Sequence, residues 1–223
     1  MNYYTGDLHG RLEFIKQVED EATKSEANLI IQVGDFGIHF REDCEVAEWF
    51  NSREGGLTWV TCGGNHDNWP KWREQESVEL FGGKVKKLAS GCFFADRNTI
   101  LNIGGVKHLF FGGAESTDKA LRVEGESWWH EETPNQAEAL DLFDAMLESR
   151  PEVVVSHDAP SRIELGRMNR DTAPTPRMLE NVLKHSGHKP KRWYFGHHHV
   201  KEEWILDSTT FYCCGLHGDY IVT

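Results

Sequence analysis

Positive charge is scarce in this chain: 24 Lys and Arg stand against 36 Asp and Glu, a formal balance of −12 over 223 residues. That argues against a nucleic-acid coat, because phosphate contacts need clustered Lys and Arg. Long apolar runs are missing as well, and none approaches the roughly 18 to 20 residues of a membrane span. The first residues, Met1 to Gly10, lack the basic start and apolar core of a signal peptide. A soluble, cytoplasmic protein without membrane partners is expected. Cysteines are few, five at 44, 62, 92, 213 and 214, with no metal-type spacing. Adjacent Cys213 and Cys214 make no ordinary disulfide, so packed, reduced thiols are expected.

What is present is a repeated local grammar. Asn28 to Gly37 reads Asn-Leu-Ile-Ile-Gln-Val-Gly-Asp-Phe-Gly, an apolar run that stops at a glycine and presents Asp35. Such a run reads as a buried strand, and in α/β folds the residue beyond its carboxyl end sits in the binding crevice. Four other runs do the same. Tyr3 to Gly6 delivers Asp7 and His9; Leu57 to Gly64 delivers Asn65, His66 and Asp67; Val153 to Ser156 delivers His157; Trp193 to Gly196 delivers His197 and His199.

Between these blocks, helical spacing is read at Leu12, Ile15, Val18 and Ala22, at Cys44 to Phe50, at Gln136 to Glu148 and at Met178 to His185. From Lys84 to Phe111 the chain turns into short extended runs, and closing strands are read near Glu203 to Leu206, Thr209 to Cys214 and Tyr220 to Val222. Ser161 to Thr175, rich in Arg and Pro, reads as a loop. Alternating strands and helices predict an α/β fold, with one domain over 1–223 built of two sheets.

The spacing points to metal chemistry. On extended backbone, residues i and i+2 share a face, so Asp7 with His9 and His197 with His199 should each aim together while His198 turns away. Carboxylate oxygens and imidazole nitrogens suit borderline first-row cations. Asp7, His9, Asp35, Asn65, His157, His197 and His199 are too many for one tetrahedral ion, whereas two ions sharing one carboxylate would use them all. Two divalent cations are expected, manganese first, with iron, zinc, nickel or magnesium as alternatives; they would bring the charge to −12 + 4 = −8. Paired ions roughly 3.5 to 4 Å apart recur in displacement at phosphorus. His66 would protonate a leaving-group oxygen or hold a phosphoryl oxygen, with Asp67 orienting it and favouring its charged form. His39, His108, His130, His185, His188, His198 and His217 are read as surface groups or supports.

The blocks Gly6-Asp7-Leu8-His9-Gly10, Gly34-Asp35, Gly64-Asn65-His66-Asp67, His157 and Gly196-His197-His198-His199 resemble the calcineurin-like metallophosphoesterase family. The resemblance implies two packed mixed β-sheets flanked by helices, with metals at the strand ends. It places Asp7, His9, Asp35 and His199 on one metal, and Asp35, Asn65, His157 and His197 on the other. His66 becomes the general acid, assisted by Asp67, and a metal-bridging hydroxide the nucleophile on a phosphate monoester or diester. The chain departs from the family's protein Ser/Thr phosphatases, which carry Gly-Asp-x-x-Asp-Arg-Gly where this chain has Gly-Asp-Phe-Gly-Ile-His-Phe.

The segment 114–136 is similar to one in small bacterial and phage phosphoesterases and is read as a substrate-facing insertion. In it Arg122 and Lys119 would meet phosphate and Trp128 or Trp129 would stack on an organic group; Arg11 and Arg41 are further candidates for phosphate. A small phosphorylated substrate is expected. The alternatives are a nuclease or nucleotide phosphodiesterase, disfavoured by net charge, and a non-catalytic metal-bearing scaffold, opposed by the full set of ligands.

Overall fold

A computed structural model describes residues 1–40, 44–165, 173–217 and 219–222. The chain order is β1 (Asn2–Thr5), α1 (Leu12–Lys24), β2 (Leu29–Gln32), α2 (Glu45–Ser52), β3 (Thr58–Thr61), α3 (Trp69–Arg73), β4 (Ser77–Leu80), β5 (Gly83–Ala89), β6 (Cys92–Phe94), β7 (Thr99–Ile103) and β8 (Val106–Phe111). It continues with α4 (Gln136–Ser149), β9 (Val153–Ser156), α5 (Pro174–Ser186), β10 (Arg192–Phe195), β11 (Lys201–Leu206), β12 (Thr209–Cys214) and β13 (Tyr220–Val222).

These strands form two mixed sheets, ordered β13-β1-β2-β3-β6-β5-β4 and β11-β12-β10-β9-β8-β7. Each has four parallel strands at its centre, β1-β2-β3-β6 and β12-β10-β9-β8, with antiparallel strands at its margins. The expected α/β architecture of two packed mixed sheets flanked by helices is therefore what forms.

Period-two alternation explains the layering. Tyr3 and Ile30 face the core shared with α1 and α2, while Tyr4, Leu29 and Ile31 face the opposite sheet. In the second sheet, Val153 and Val155 point inward, and Val154, Trp193 and Phe211 meet Leu142, Leu179 and Leu183 of α4 and α5. The central strands are buried on both faces, as uninterrupted apolar runs predict. Tyr4 and Tyr194 stack across the sheet interface with ring centroids 3.6 Å apart. The cysteines behave as packed thiols: Cys213 lies under α4 and α5, Cys214 lies between the sheets, and all five are free.

Three elements differ from the sequence reading. Helix α3 has five residues and no room for a period; Asn68 caps it by accepting from the Lys71 N–H at 3.1 Å. Strand β4 is a half-exposed edge. Helix α5 begins at Pro174 rather than Met178. Pro174, which falls in the stretch read as a loop, sits in the first turn, where its missing N–H would have had no helical partner. Of the expected 161–175 loop, residues 166–172 lie outside the described residues.

Candidate metal centre

Every predicted ligand follows the carboxyl end of a parallel strand: Asp7 and His9 after β1, Asp35 after β2, Asn65 after β3, His157 after β9, and His197 and His199 after β10. The pairs converge by a route other than the extended backbone inferred from the spacing. Asp7, His9, Asp35, His197 and His199 have φ of 52°, 48°, 57°, 66° and 56°, the left-handed region that non-glycine residues rarely adopt. Such outliers collect where surrounding structure imposes them at a functional site. Here the first two loops are locked in register: the His9 N–H donates to the Asp35 carbonyl at 2.8 Å and the Gly10 N–H to that of Phe36 at 2.8 Å. Two glycines make room for neighbouring ligands. A Cβ on Gly64 would lie 2.1 Å from Asp35 Oδ1, and one on Gly196 would lie 2.4 Å from Asp7 Oδ2.

The donor chemistry fits metal ions. His157 Nδ1 lies 2.8 Å from the Val33 carbonyl and must carry a proton there, so in the neutral ring it is Nε2 that presents the lone pair. That lone pair faces Asn65 Oδ1 at 3.0 Å and Asp35 Oδ1 at 3.4 Å. On the other side His9 Nε2 and His199 Nε2 face each other at 3.4 Å, with Asp35 Oδ2 3.9 Å from the first and Asp7 Oδ1 3.5 Å from the second. Acceptors aimed at one another repel unless a cation or proton lies between them. Among the described residues, two triads have all ligand atoms within 4.8 Å of one another, Asp7/His9/His199 and Asp7/Asp35/His157. Asp35 turns Oδ2 towards His9 and Oδ1 towards His157, while Asp7 belongs to both triads. His197 belongs to neither triad; its ring centroid lies 5.1 Å from that of His157, and its main-chain N–H donates to both Asp7 oxygens at 3.1 Å.

Electrostatics points the same way. Burial alone would raise Asp35, but His157, with His66 and His9, holds it far below the usual carboxylate range. Burial pulls His157 down, yet the Asp35 carboxylate takes it up to about 10, so a proton occupies the place a cation would take. Burial lowers His9 and lowers His197 to about 4, leaving imidazoles neutral for ligation. Donation to the Asp7 carboxylate raises His199.

The predicted acid His66 lies beside this cluster, its ring edge-on to His9 at 5.0 Å and its main-chain N–H donating to Asp35 Oδ1 at 2.7 Å. Asp67 does not orient it. The Asp67 carboxylate accepts from the N–H groups of Gly64 at 2.8 Å, Gly37 at 2.8 Å and Phe36 at 3.3 Å, tying the Asn65 loop to the Asp35 loop. His66 is not held in its charged form either, since burial, then the Arg122 cation, lower it against the pull of Asp35.

Arg122 lies beside His66 and the Asn65 loop. Its Nη2 lies 3.0 Å from His66 Nδ1 and 2.8 Å from Asp118 Oδ1, and Nη1 donates to the Asn65 carbonyl at 3.3 Å. Lys119 and Trp128 are committed to each other: the indole is buried and the ammonium lies 3.9 Å from its centroid, so that face is closed to an organic group. Trp129 packs edge-on against Phe40. Arg11 lies over Phe14, and Arg41 lies outside the described residues. His198 turns away as expected, meeting Asp158 Oδ1 at 2.9 Å. His108 and His188, read as surface groups or supports, are buried structural residues, bonded to Tyr4 and the Val106 carbonyl and to the Pro151 carbonyl respectively.

Two buried residues had no signal of their own in the sequence. Ser116 accepts from Asn65 Nδ2 at 3.2 Å, and Glu132 accepts from the Ser116 N–H at 2.8 Å and its hydroxyl at 2.7 Å. Only the fold brings them to Asn65.

A profile of the family described as calcineurin-like phosphoesterase matches residues 3–201. No curated protein matches. Among solved structures, TT1561 of Thermus thermophilus superposes with a TM-score of 0.61 at 18% identity, covering 97% of this chain and 89% of that one. GAP50, the anchor in the inner membrane complex of Plasmodium, gives 0.58 at 13% identity, with 96% and 70% covered. A Staphylococcus aureus protein described as a candidate 5′-nucleotidase gives 0.54 at 14% identity, with 97% and 48% covered. At these identities the likeness is one of fold.

Proposed function

This chain belongs to the calcineurin-like phosphoesterase family, and from that premise we propose that it hydrolyses phosphate esters at a dinuclear metal centre. Asp7, His9, Asp35, Asn65, His157, His197 and His199 would hold the ions, with manganese the first choice. The observation that carries this reading is the facing of lone pairs at His157, Asn65 and Asp35, which calls for positive charge at that point. Divalent cations bound there would acidify a water and offset charge developing at phosphorus.

The chain's own residues supply the rest. His66, fixed through its main chain to Asp35, gives a proton to the departing oxygen. Its lowered pKa makes the imidazolium a stronger acid, and an arriving phosphate offsets the Arg122 charge that lowers it. Arg122 is placed to meet a phosphoryl oxygen within reach of that acid. The charge of −12 favours a small phosphorylated substrate over a nucleic acid.

The test compares a chromogenic phosphate monoester, a chromogenic diester and single-stranded DNA, each with Mn²⁺ and with chelator. Hydrolysis of an ester with Mn²⁺ and its loss with chelator are expected. His66→Asn should lower turnover by about 10²- to 10⁴-fold with normal metal content. Near-normal turnover in that variant removes His66 from its role.

A further inference from the structure

We infer that Ser116 and Glu132 are positioning residues that fix which end of the Asn65 amide faces the metal centre. The inference rests on the dinuclear reading above and adds a job for the 114–136 segment that is separate from substrate contact.

An asparagine amide has two faces of nearly equal shape, one accepting and one donating. Turned about, Asn65 would aim its NH₂ at His157 Nε2 and remove a candidate ligand oxygen from the centre. The surrounding protons forbid it. Glu132 is 2% exposed, and its Oε1 accepts from the Ser116 main-chain N–H at 2.8 Å. Its Oε2 lies 2.7 Å from the Ser116 hydroxyl, which has a single proton and donates it to the carboxylate. Ser116 Oγ is left with lone pairs only, and the Asn65 atom 3.2 Å away must be the NH₂. Oδ1 therefore turns to His157 Nε2, 3.0 Å distant.

Asn65 and Ser116 are only 4% and 8% exposed, so water is a poor substitute partner. The main chain of the loop is held separately, by Asp67 on the Gly64 N–H and by Arg122 on the Asn65 carbonyl. Removing Ser116 should thus release the amide orientation without releasing the loop. Supports of this kind for a ligating side chain are worth about 10- to 100-fold in metal affinity.

The experiment titrates Mn²⁺ into the full chain and follows the free aqua ion by electron paramagnetic resonance, with thermal melting in parallel. Wild type should bind two ions. Ser116→Ala should weaken one of them about 10- to 100-fold and leave the other within about 2-fold, at an unchanged melting temperature in chelator. Glu132→Gln should weaken the same ion, because an amide there can donate to Ser116 and reverse the chain of donors. In an Asn65→Ala background, Ser116→Ala should add nothing. Unchanged affinities in Ser116→Ala, equal weakening of both ions, or a full additional loss in the Asn65→Ala background each overturn the positioning role while leaving the dinuclear reading intact. A wild type that binds one ion overturns that reading, and the inference with it.

Discussion

Arg97 and Asp35 are both buried charges, 8% and 1% exposed, in the same sandwich, yet their surroundings differ in kind. The Arg97 guanidinium donates to the Gly112 carbonyl, to both Glu138 oxygens and to the carbonyls of Glu131 and Glu132, all within 2.7 to 3.0 Å. Its face lies 4.0 Å from the Trp69 ring centroid, and Arg73 braces Glu138 from the other side at 2.9 Å. Every donor has an acceptor. Around Asp35, histidine nitrogens and carboxylate oxygens face one another beyond ordinary hydrogen-bond length, at 3.4 to 3.9 Å, and five nearby residues hold left-handed backbone. A saturated cluster holds the fold, whereas an unsaturated one held by strain is a candidate ligand site.

The largest effects should separate the two clusters. Asp35→Asn should lower kcat/KM by more than about 10³-fold, because both halves of the proposed metal centre would lose a shared charge. Its melting temperature in chelator should fall less than that of Arg97→Met, because burial opposes the Asp35 charge and His157 can give up its proton once the carboxylate is gone. Arg97→Met leaves Glu138 half-buried and underpaired, which costs about 3 to 5 kcal/mol and should lower the melting temperature by roughly 6 to 20 °C. The comparison breaks if Asp35→Asn melts as low as Arg97→Met, or if Arg97→Met melts like wild type.

A buried histidine outside the metal centre sharpens it. His108 gives its Nδ1 proton to the Val106 carbonyl at 2.9 Å and accepts from the Tyr4 hydroxyl at 3.1 Å, so its saturated state is the neutral one. Burial lowers it to about 4, with smaller effects from Arg192 and Glu152. The folded pKa lies below the unfolded value of about 6.5, so this contribution is full above pH 6.5 and is lost as pH falls through 4. The loss amounts to about 3 kcal/mol. Urea unfolding from pH 7 to pH 4 should show wild type losing that much more than His108→Gln; parallel pH profiles would mean the imidazole is not held neutral.

The ligand blocks were legible because each is local: an apolar strand, a glycine and the chemical group follow one another within a few residues. Gly34-Asp35 and Gly196-His197-His198-His199 need only their own strand ends to be understood. What pairs across the chain was not legible. Ser116 meets Asn65 across 51 residues and Arg97 meets Glu138 across 41, contacts that exist only once the sheets have packed. Adjacency also misled. Asp67 follows His66 directly, but neighbouring side chains leave the backbone in different directions, and this carboxylate serves three main-chain N–H groups. At the start of α5, Pro174 fell in the stretch read as a loop because composition does not reveal position within a first turn.

The smallest effect concerns the two arginines. Arg97 and Arg122 have side chains only 2% and 7% exposed, so burial does not distinguish them. Their bonds do. Arg122 Nη1 reaches its carbonyls at 3.3 and 3.5 Å, and its charge partner Asp118 has a side chain 46% exposed. Nη1, held only by these two long contacts, would be free to turn to a phosphoryl oxygen, whereas every Arg97 donor is matched at 2.7 to 3.0 Å. Arg122→Ala should therefore raise KM or lower kcat/KM by roughly 10- to 100-fold for phosphate esters, the worth of a charge-assisted contact. Its melting temperature should fall less than that of Arg97→Met. Kinetics unchanged on every ester hydrolysed by wild type would place Arg122 with Arg97, as a brace for the Asn65 loop and nothing more.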